Sequence, residues 1–311
     1  MAESESWERQ TLEKVALAAV TEQRRARKWG IFFKIIGFLY LTFILIMALG
    51  LMNGADLPST KSHTALVDLD GVIAPGSQAS AERIIEGLQA AFKNKHAKGV
   101  ILRINSPGGS PVQAGQINDE IKRLRTKHPA IPLYAVVEDI CASGGYYVAV
   151  AADKIYVDKA SLVGSIGVLM DGFGFTGTMD KLGVERRLMT AGENKGFLDP
   201  FSPVDPQQKA HAQTMLSEIH EQFIQTVKKG RGARLKETEG MFSGLIWTGE
   251  RSIALGMADA IGSMDFVARE VIKAEDIVDY TPRQSLADRF AKRFGSAAAQ
   301  AILPGINTQL R

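Results

Sequence analysis

Residues 99–109 read GVILRINSPGG. Their first part, GVILRI, is an apolar run with a single charge at Arg103, as is typical of a buried strand. NSPGG follows directly, and its proline and two glycines indicate a turn. In open α/β sheets, turns at the carboxyl ends of parallel strands build the functional site. This stretch therefore predicts a sheet, and it predicts a functional site at the carboxyl ends of the strands.

The same pattern recurs along the chain, because apolar runs alternate with segments of helical periodicity. The predicted strands are 65–73, 99–104, 133–137, 154–157, 166–169 and 184–189. The predicted helices include 81–92, 112–125, 143–152 and a long helix capped by Asp205, with Pro206 at its first position. Alternating strands and helices favour the α/β class, with a parallel sheet and right-handed crossovers.

Composition excludes several other classes of protein. The 311 residues are 45% hydrophobic and 23% charged, which is typical of a folded globular protein. The net charge of +3 gives no electrostatic reason to expect a nucleic-acid partner. Cys141 is the one cysteine, so a disulfide framework is impossible. The histidines at 63, 96, 128, 211 and 220 lack metal-ligand spacing, so we expect neither a metal nor a cofactor.

Residues 31–52, IFFKIIGFLYLTFILIMALGLM, carry a single charge at Lys34. About 20 apolar residues span a bilayer, so this segment predicts a transmembrane anchor. Basic residues stand before it at 24, 25, 27 and 28, whereas Lys61 is the one basic residue between it and Asp70. This asymmetry predicts a cytoplasmic N-terminus and a main domain across the membrane. The alternative is a cleaved signal peptide, but the apolar run is longer than the usual ~7–15 residues.

These features predict five regions. Residues 1–30 form a cytoplasmic segment, 31–52 the transmembrane anchor and 53–62 a polar linker, NGADLPSTKS. Residues 63–280 form the α/β domain, and 281–311 form a weakly patterned C-terminal tail.

Three glycine-containing turns follow predicted strands: NSPGGS at 105–110, CASGGYY at 141–147 and VGSIGV at 163–168. Ser143 stands in a strand-to-helix turn before two glycines, as a nucleophile does in an elbow. The amide of Gly144 and those of Gly108 and Gly109 are candidate donors to an oxyanion. The alternative is that Ser143 is only a helix N-cap.

A serine nucleophile needs a base, and none of the histidines lies in a suitable motif. The candidate is Lys195, in TAGENKGF at 190–197. A desolvated pocket would have to lower the pKa of this lysine from ~10.4 toward 7–8. The hydroxyl of Ser165 is a candidate to accept a hydrogen bond from the lysine and orient it. The alternatives are a solvated lysine and an ordinary turn serine.

These motifs together resemble the short form of the signal peptide peptidase A (protease IV) family, which are membrane-anchored Ser/Lys peptidases. The matching segments are NSPGG at 105–109, ASGGYYVA at 142–149, GSIGV at 164–168 and AGENK at 191–195. The resemblance covers about residues 62–275 together with the N-terminal anchor. It implies a Clp/crotonase-like fold of parallel-sheet repeats with helices.

The resemblance also implies roles. Ser143 matches the nucleophile and Lys195 the general base, while Gly108, Gly109 and Gly144 match the oxyanion hole. Ser165 falls on the turn that lies next to the lysine. Cys141 departs from the pattern, and we expect it to be a small buried hydrophobe.

For the whole protein, the resemblance implies a homo-oligomer, an octameric ring in which Ser143 and Lys195 meet across a subunit interface. The substrates would be hydrophobic peptides, signal peptides among them. The setting would be a bacterial inner membrane, with the catalytic domain outside the cytoplasm. Two other functions stay open. A crotonase-type acyl-CoA enzyme would be expected to be soluble and to have a glutamate near the oxyanion loop. A non-catalytic membrane scaffold of the same fold would oligomerise without hydrolysing peptides.

Overall fold

The computed structural model describes residues 2–48 and 61–282. These belong to two separate compact units, a long N-terminal helix and an α/β unit. The helix, α1 (Ala2–Ala48), runs without interruption for 47 residues. Within it, Glu13–Ile46 is long and apolar enough to cross a membrane, with a mean hydropathy of 2.1 in its most apolar window. Residues 49–52 of the predicted anchor, most of the predicted linker and residues 283–311 lie outside the described residues.

The described part of the α/β unit contains one eight-stranded sheet. Its strands are β1 (His63–Asp70), β2 (Ala97–Ser106), β3 (Leu133–Ala142), β4 (Lys154–Val157), β5 (Leu162–Gly164), β6 (Ile246–Thr248), β7 (Ala260–Ile261) and β8 (Ile277–Asp279). The main order is β6-β5-β3-β2-β1-β8, and β4 lies between β3 and β7. All pairs are parallel except β5 with β6. The predicted α/β class with a parallel sheet is confirmed.

Strand β3 changes its neighbour halfway along its length. Its first part, Tyr134–Val136, pairs with β4, whereas its last part, Ile140–Ala142, pairs with β5. On its other side, the register with β2 shifts between Ile104 and Ser106. A register shift of this kind typically bends a strand, and it lies at the point where β3 changes from β4 to β5 as its partner.

Helices cover both faces of the sheet, as a parallel sheet requires. The helices of the described part of this unit are α2 (Ala81–Lys93), α3 (Pro111–Lys127), α4 (Gly144–Ala149), α5 (Thr176–Leu182), α6 (Pro206–Arg231), α7 (Gly249–Ala254) and α8 (Met264–Phe266), with a π-helical turn over Val267–Ile272. Helix α5 buries no residue, so it does not cover the sheet. The helical periodicity predicted from the sequence is confirmed in α2 and α3, where Ile84, Leu88, Ile117 and Ile121 are fully buried. Asp205 caps α6 as predicted, accepting hydrogen bonds from the amides of Gln207 and Gln208.

Two predicted strands are wrong. Residues 166–169 and 184–189 have no regular structure. Ile166 is buried in the core, but the apolar side chains farther along these segments are exposed, and those of Leu169 and Met189 are 80% and 95% accessible. Within the described residues, no strand pairs with either segment. An apolar run forms a strand only when a neighbouring strand satisfies its backbone, and here none does.

A buried ion pair joins Arg231, at the end of α6, to Asp259, the residue before β7. Arg231 donates two hydrogen bonds of 2.9 Å to the carboxylate of Asp259, and its side chain is only 1% exposed. The same carboxylate accepts the Ile155 amide at 2.7 Å. Burial alone would raise the pKa of Asp259, but the hydrogen bonds from Arg231 and Ile155 outweigh it and lower that pKa. The charged form of Asp259 is therefore part of the folded structure.

Candidate active site

Ser143 occupies a strained turn between β3 and α4. Its backbone has φ 50° and ψ −121°, a conformation that costs a residue with a side chain about 1–3 kcal/mol. The turn is anchored by the Ser143 amide, which donates to the Gly164 carbonyl at 2.8 Å. Although Ser143 stands at the N-cap position of α4, its hydroxyl makes no capping hydrogen bond. The side chain of Ser143 therefore does not cap α4, and its half-buried hydroxyl makes no hydrogen bond among the described residues.

The glycine turn after β2 packs directly against this serine. A Cβ atom added to Gly108 would lie 2.7 Å from the Ser143 Cβ and 2.6 Å from the Gly144 nitrogen. Gly108 also has φ +98°, so both space and conformation require glycine there. Two 2.8 Å hydrogen bonds hold the turn to Ile73, whose amide donates to the Gly108 carbonyl and whose carbonyl accepts the Ser110 amide.

The three predicted oxyanion donors differ in what their amides contact. The Gly108 amide already donates to the Ser106 hydroxyl at 3.2 Å. Gly144 is the first residue of α4, so its amide has no acceptor within the helix. Among the described residues, no acceptor contacts the Gly109 amide either. Gly109 and Gly144 lie close together, since a Cβ on Gly144 would be 3.2 Å from the Gly109 nitrogen.

Ser165 follows β5 as Ser143 follows β3. The last residues of the two strands, Ala142 and Gly164, pair with each other. The two serines that follow them therefore stand at neighbouring strand ends. Ser165 is half-buried and has φ 51°, and its amide donates to the Leu245 carbonyl at 2.8 Å. The structure thus brings the second and third glycine turns together, as the sequence predicts.

Both serines line one cavity of about 590 Å³. Its other walls come from the glycine turn after β2, from α3, α4 and α6, from the segment after Ser165 and from the turn before β6. Besides the two serines, the residues that line the cavity are Pro107, Gly109, Pro111, Ala114, Gly144, Tyr147, Gly167, Val168, Leu169, Ile219, Gln222, Phe223, Ser243 and Gly244. No acidic or basic side chain is among them, so the cavity favours apolar ligands over charged ones.

The α6 wall was missed in the sequence analysis. Phe223 contacts the ring of Tyr147 with 5.2 Å between centroids, and Thr226 donates to the Tyr147 hydroxyl at 3.1 Å. His220, on the same helix, contacts the Ile166 carbonyl at 3.2 Å. In the sequence, this helix carries an apolar stripe: Ala212, Met215, Leu216, Ile219, Phe223 and Val227. Such a stripe predicts a buried face, but it does not show which part of that face lines a cavity and which part packs in the core.

Lys195 is not brought to Ser143 within the described chain. It lies in a series of turns before α6, where its amide donates to the Gly192 carbonyl at 3.1 Å. Its side chain is exposed and does not line the cavity that contains Ser143. The segment that carries Lys195, residues 167–205, has many exposed apolar side chains, including Leu169, Phe173, Leu182, Met189 and Val204.

Cys141 stands two residues before Ser143 but does not share its site. Its side chain is fully buried in the main apolar core, and burial raises the pKa of the thiol well above its usual range. A neutral buried thiol is not a nucleophile, so the expectation of a small buried hydrophobe is confirmed. Within residues 2–48 and 61–282, no group of three or more His, Cys, Asp or Glu side chains has the geometry to hold a metal ion.

Comparison with known proteins shows the family of this chain. The chain is 32% identical over 216 residues to a protein of Methanocaldococcus jannaschii described as a protease, covering 68% of each chain. It is 28% identical over 204 residues to a protein of Enterococcus faecium described as the signal peptide peptidase SppA, covering 66% of this chain and 59% of that one.

A protein of Brucella abortus described as the Na⁺/H⁺ antiporter NhaA is 42% identical over 210 residues. The match covers 67% of this chain but only 28% of the Brucella protein, which is much longer. Residues 125–277 also match the profile of peptidase family S49, and that range contains Ser143, Ser165 and Lys195. The chain belongs to peptidase family S49.

Proposed function

We propose that the protein is a membrane-anchored serine endopeptidase that acts through Ser143 and Lys195. The observation that carries the proposal is the Ser143 turn itself. It is strained, its hydroxyl makes no capping hydrogen bond, and it opens into a cavity without charged side chains, beside two amides that have no acceptor among the described residues. A helix N-cap needs none of these features, whereas a free hydroxyl beside unpaired amides is the arrangement expected of a nucleophile next to an oxyanion hole.

The chemistry is acyl transfer. Neutral Lys195 Nζ takes the proton of the Ser143 hydroxyl while Oγ bonds to the scissile carbonyl carbon. The carbonyl oxygen becomes an oxyanion that accepts hydrogen bonds from the Gly109 and Gly144 amides. The C–N bond then breaks, and the lysine ammonium returns the proton to the leaving amine. Water hydrolyses the ester by the same sequence in reverse, restoring Ser143 and neutral lysine.

Gly108 has a different role from that expected from the sequence. Since its amide already contacts Ser106, we assign it to close packing beneath the serine and not to the oxyanion. The Ser165 hydroxyl, at the adjacent strand end, is proposed to accept a hydrogen bond from the lysine ammonium and to orient it.

The position of Lys195 supports an oligomeric site. The lysine lies outside the Ser143 cavity of its own chain, on a segment rich in exposed apolar side chains. Such a surface is typical of contacts between subunits. We therefore propose a homo-oligomer, an octameric ring, in which Lys195 of one subunit serves Ser143 of its neighbour.

Substrate and location follow from the cavity and from α1. The uncharged cavity suits extended hydrophobic peptides, and remnant signal peptides are the proposed substrate class, as the name of the Enterococcus relative suggests. We propose that α1 anchors the enzyme in a bacterial inner membrane through residues 31–52. The N-terminal segment 1–30 would be cytoplasmic. The linker 53–62, the peptidase domain 63–280 and the tail 281–311 would lie outside the cytoplasm.

The test is hydrolysis of a fluorogenic apolar peptide by the full-length protein in detergent, across about pH 6 to 10. Wild type should cleave, and Ser143→Ala and Lys195→Ala should each lose at least about 10³-fold in kcat. Lys181→Ala, at another exposed lysine of the same segment, is the matched control and should retain wild-type activity.

Each contrary result rejects a different part of the proposal. Full activity of a folded Lys195→Ala variant would exclude Lys195 as the base. An oligomeric wild type that cleaves no peptide would favour the non-catalytic scaffold. Hydrolysis of an acyl-CoA thioester instead of peptides would favour the crotonase-type enzyme.

A further inference from the structure

Among the described residues, Gln208 of α6 makes side-chain hydrogen bonds to the loop that carries Lys195. Its Oε1 accepts the Leu198 amide at 2.9 Å, and its Nε2 lies 3.4 Å from Asn194 Oδ1. Asn194 and Leu198 stand before and after Lys195 in the sequence, so the two contacts hold the loop on either side of the lysine. Gln208 is half-buried, in contrast to the exposed glutamine before it.

Gln208 is itself rigidly placed. It lies in the first turn of α6, whose N-cap Asp205 accepts the amides of Gln207 at 2.7 Å and Gln208 at 3.4 Å. Pro206 at the first helical position fixes the backbone there. The helix therefore presents the Gln208 amide group to the loop from a fixed point.

The loop needs such an anchor because its backbone is strained and its packing is incomplete. Leu198 has φ 50°, a left-handed conformation that is unfavourable for a leucine. A cavity of about 480 Å³ separates the loop from α6, lined by Asn194, Phe197, Gln207, Gln208, His211 and Met215. Apart from the edge contact of Phe197 with His211, at 5.9 Å between ring centroids, few side chains fill the space.

From this geometry we infer that Gln208 is a positioning residue for the catalytic lysine. By holding Leu198 and Asn194, it fixes the loop conformation from which Lys195 reaches a serine nucleophile. The inference rests on the proposed role of Lys195. A displacement of about 1 Å in a reacting group can cost about 10²-fold in rate, so loss of the anchor should be measurable in catalysis.

The test compares Gln208→Met with Gln207→Met in the full-length protein. Both changes replace an amide by an apolar side chain of similar length on the same cavity, but among the described residues the Gln207 side chain makes no hydrogen bond. Gln208→Met should lower kcat about 10²-fold with KM unchanged, and Gln207→Met should match wild type. Thermal unfolding midpoints should be the same for both, since the effect is local.

Gln208→Glu adds a readout that a purely structural role would not move. The carboxylate keeps the acceptor for the Leu198 amide but places a negative charge near Lys195. A nearby opposite charge favours the ammonium, so the acid limb of the pH–rate profile should move to higher pH. Activity above that limb should exceed that of Gln208→Met, because one of the two contacts is retained.

The outcomes separate this inference from the proposed function. If wild type is inactive or Lys195→Ala is active, the proposed function fails first. If both of those behave as proposed and Gln208→Met equals Gln207→Met, the positioning role is wrong. Should Gln208→Met not fold, Gln208→Glu decides, and wild-type kcat with an unshifted acid limb would overturn the inference.

Discussion

The site depends on a few residues whose backbone no ordinary L-residue favours. Ser143 and Ser165 both have positive φ, at 50° and 51°, immediately after paired strands. Gly108 lies beneath the first of them with no room for a side chain. Strain of this kind persists only where the surrounding structure enforces it, and here the strand pairing and the Gly164 and Leu245 carbonyls do so.

Gly108→Ala tests this packing. The added methyl group would lie 2.6–2.8 Å from the Gly144 nitrogen, the Ser143 Cβ and the Ala142 carbonyl oxygen, so the nucleophile turn must move. We expect kcat/KM to fall by about 10²-fold or more, because the serine and the oxyanion donors shift together. Peptide hydrolysis by the folded variant measures the effect.

Gly115→Ala is the matched control. Gly115 lies within α3, and a Cβ there would meet nothing within 4 Å. Alanine is the better helix former, so the free energy of unfolding in urea should rise by about 0.5–1 kcal/mol with activity unchanged. If Gly108→Ala were also fully active, close packing under Ser143 would not be required.

Among the elements, helix α6 contacts three different parts of the structure at its start, middle and end. Near its start it holds the Lys195 loop through Gln208, and in its middle it forms a wall of the Ser143 cavity through Ile219 and Phe223. Its last residue, Arg231, is tied to the carboxylate of Asp259 between β4 and β7. The helix therefore links the candidate base, the substrate cavity and the sheet in one rigid piece.

Asp259→Asn tests the last of these links. The variant keeps the shape of the side chain but leaves the buried Arg231 guanidinium without its anionic partner. Breaking a buried ion pair in this way typically costs about 3–5 kcal/mol. Urea unfolding at neutral pH should show this loss, whereas Asp119→Asn, at a carboxylate that is 82% exposed, should change stability by less than about 1 kcal/mol.

The pH dependence of stability follows from the same pair. Because the folded-state pKa of Asp259 is lowered, its stabilising contribution is complete above the unfolded-state value of about 3.9 and is lost as pH falls through the lower folded value. Wild-type stability should therefore fall more steeply below about pH 4 than that of Asp259→Asn. Parallel curves for the two proteins would contradict the assignment.

At the scale of the whole molecule, the separation of Lys195 from the Ser143 cavity makes a prediction about assembly. Ser143→Ala and Lys195→Ala subunits are each inactive in the proposed mechanism. In a mixed ring, a Lys195→Ala subunit still provides the serine and a Ser143→Ala neighbour still provides the lysine. Co-assembly at equal amounts should therefore restore about a quarter of the wild-type activity, from random placement of two kinds of subunit around a closed ring.

Mixing the two purified variants without subunit exchange is the control and should stay inactive. Light scattering before and after exchange shows whether the rings have kept their size. If co-assembled rings remain inactive, the two groups come from the same subunit, and the loop that carries Lys195 must then close over its own cavity.

Local sequence determined the elements and the turns of this protein. Strands β1 to β4, helices α2 and α3 and the Asp205 cap of α6 follow from hydrophobic periodicity and capping chemistry, which act over a few residues. The serine and glycine positions of the three turns could also be predicted, because turn residues that follow an apolar run are a local signal. The resemblance of those motifs to a known family indicated their roles.

The tertiary structure decided which of those elements pair and which side chains and amides come into contact. The change of partner along β3, the uncapped hydroxyl of Ser143 and the contact of the Gly108 amide with Ser106 depend on residues far apart in the chain. Residues 184–189 have a strand-like sequence, but no strand of the described chain pairs with them, so they are exposed instead of paired. Periodicity reports which residues prefer burial, whereas pairing and cavities depend on where the whole sheet and α6 come together, which no short segment of sequence encodes.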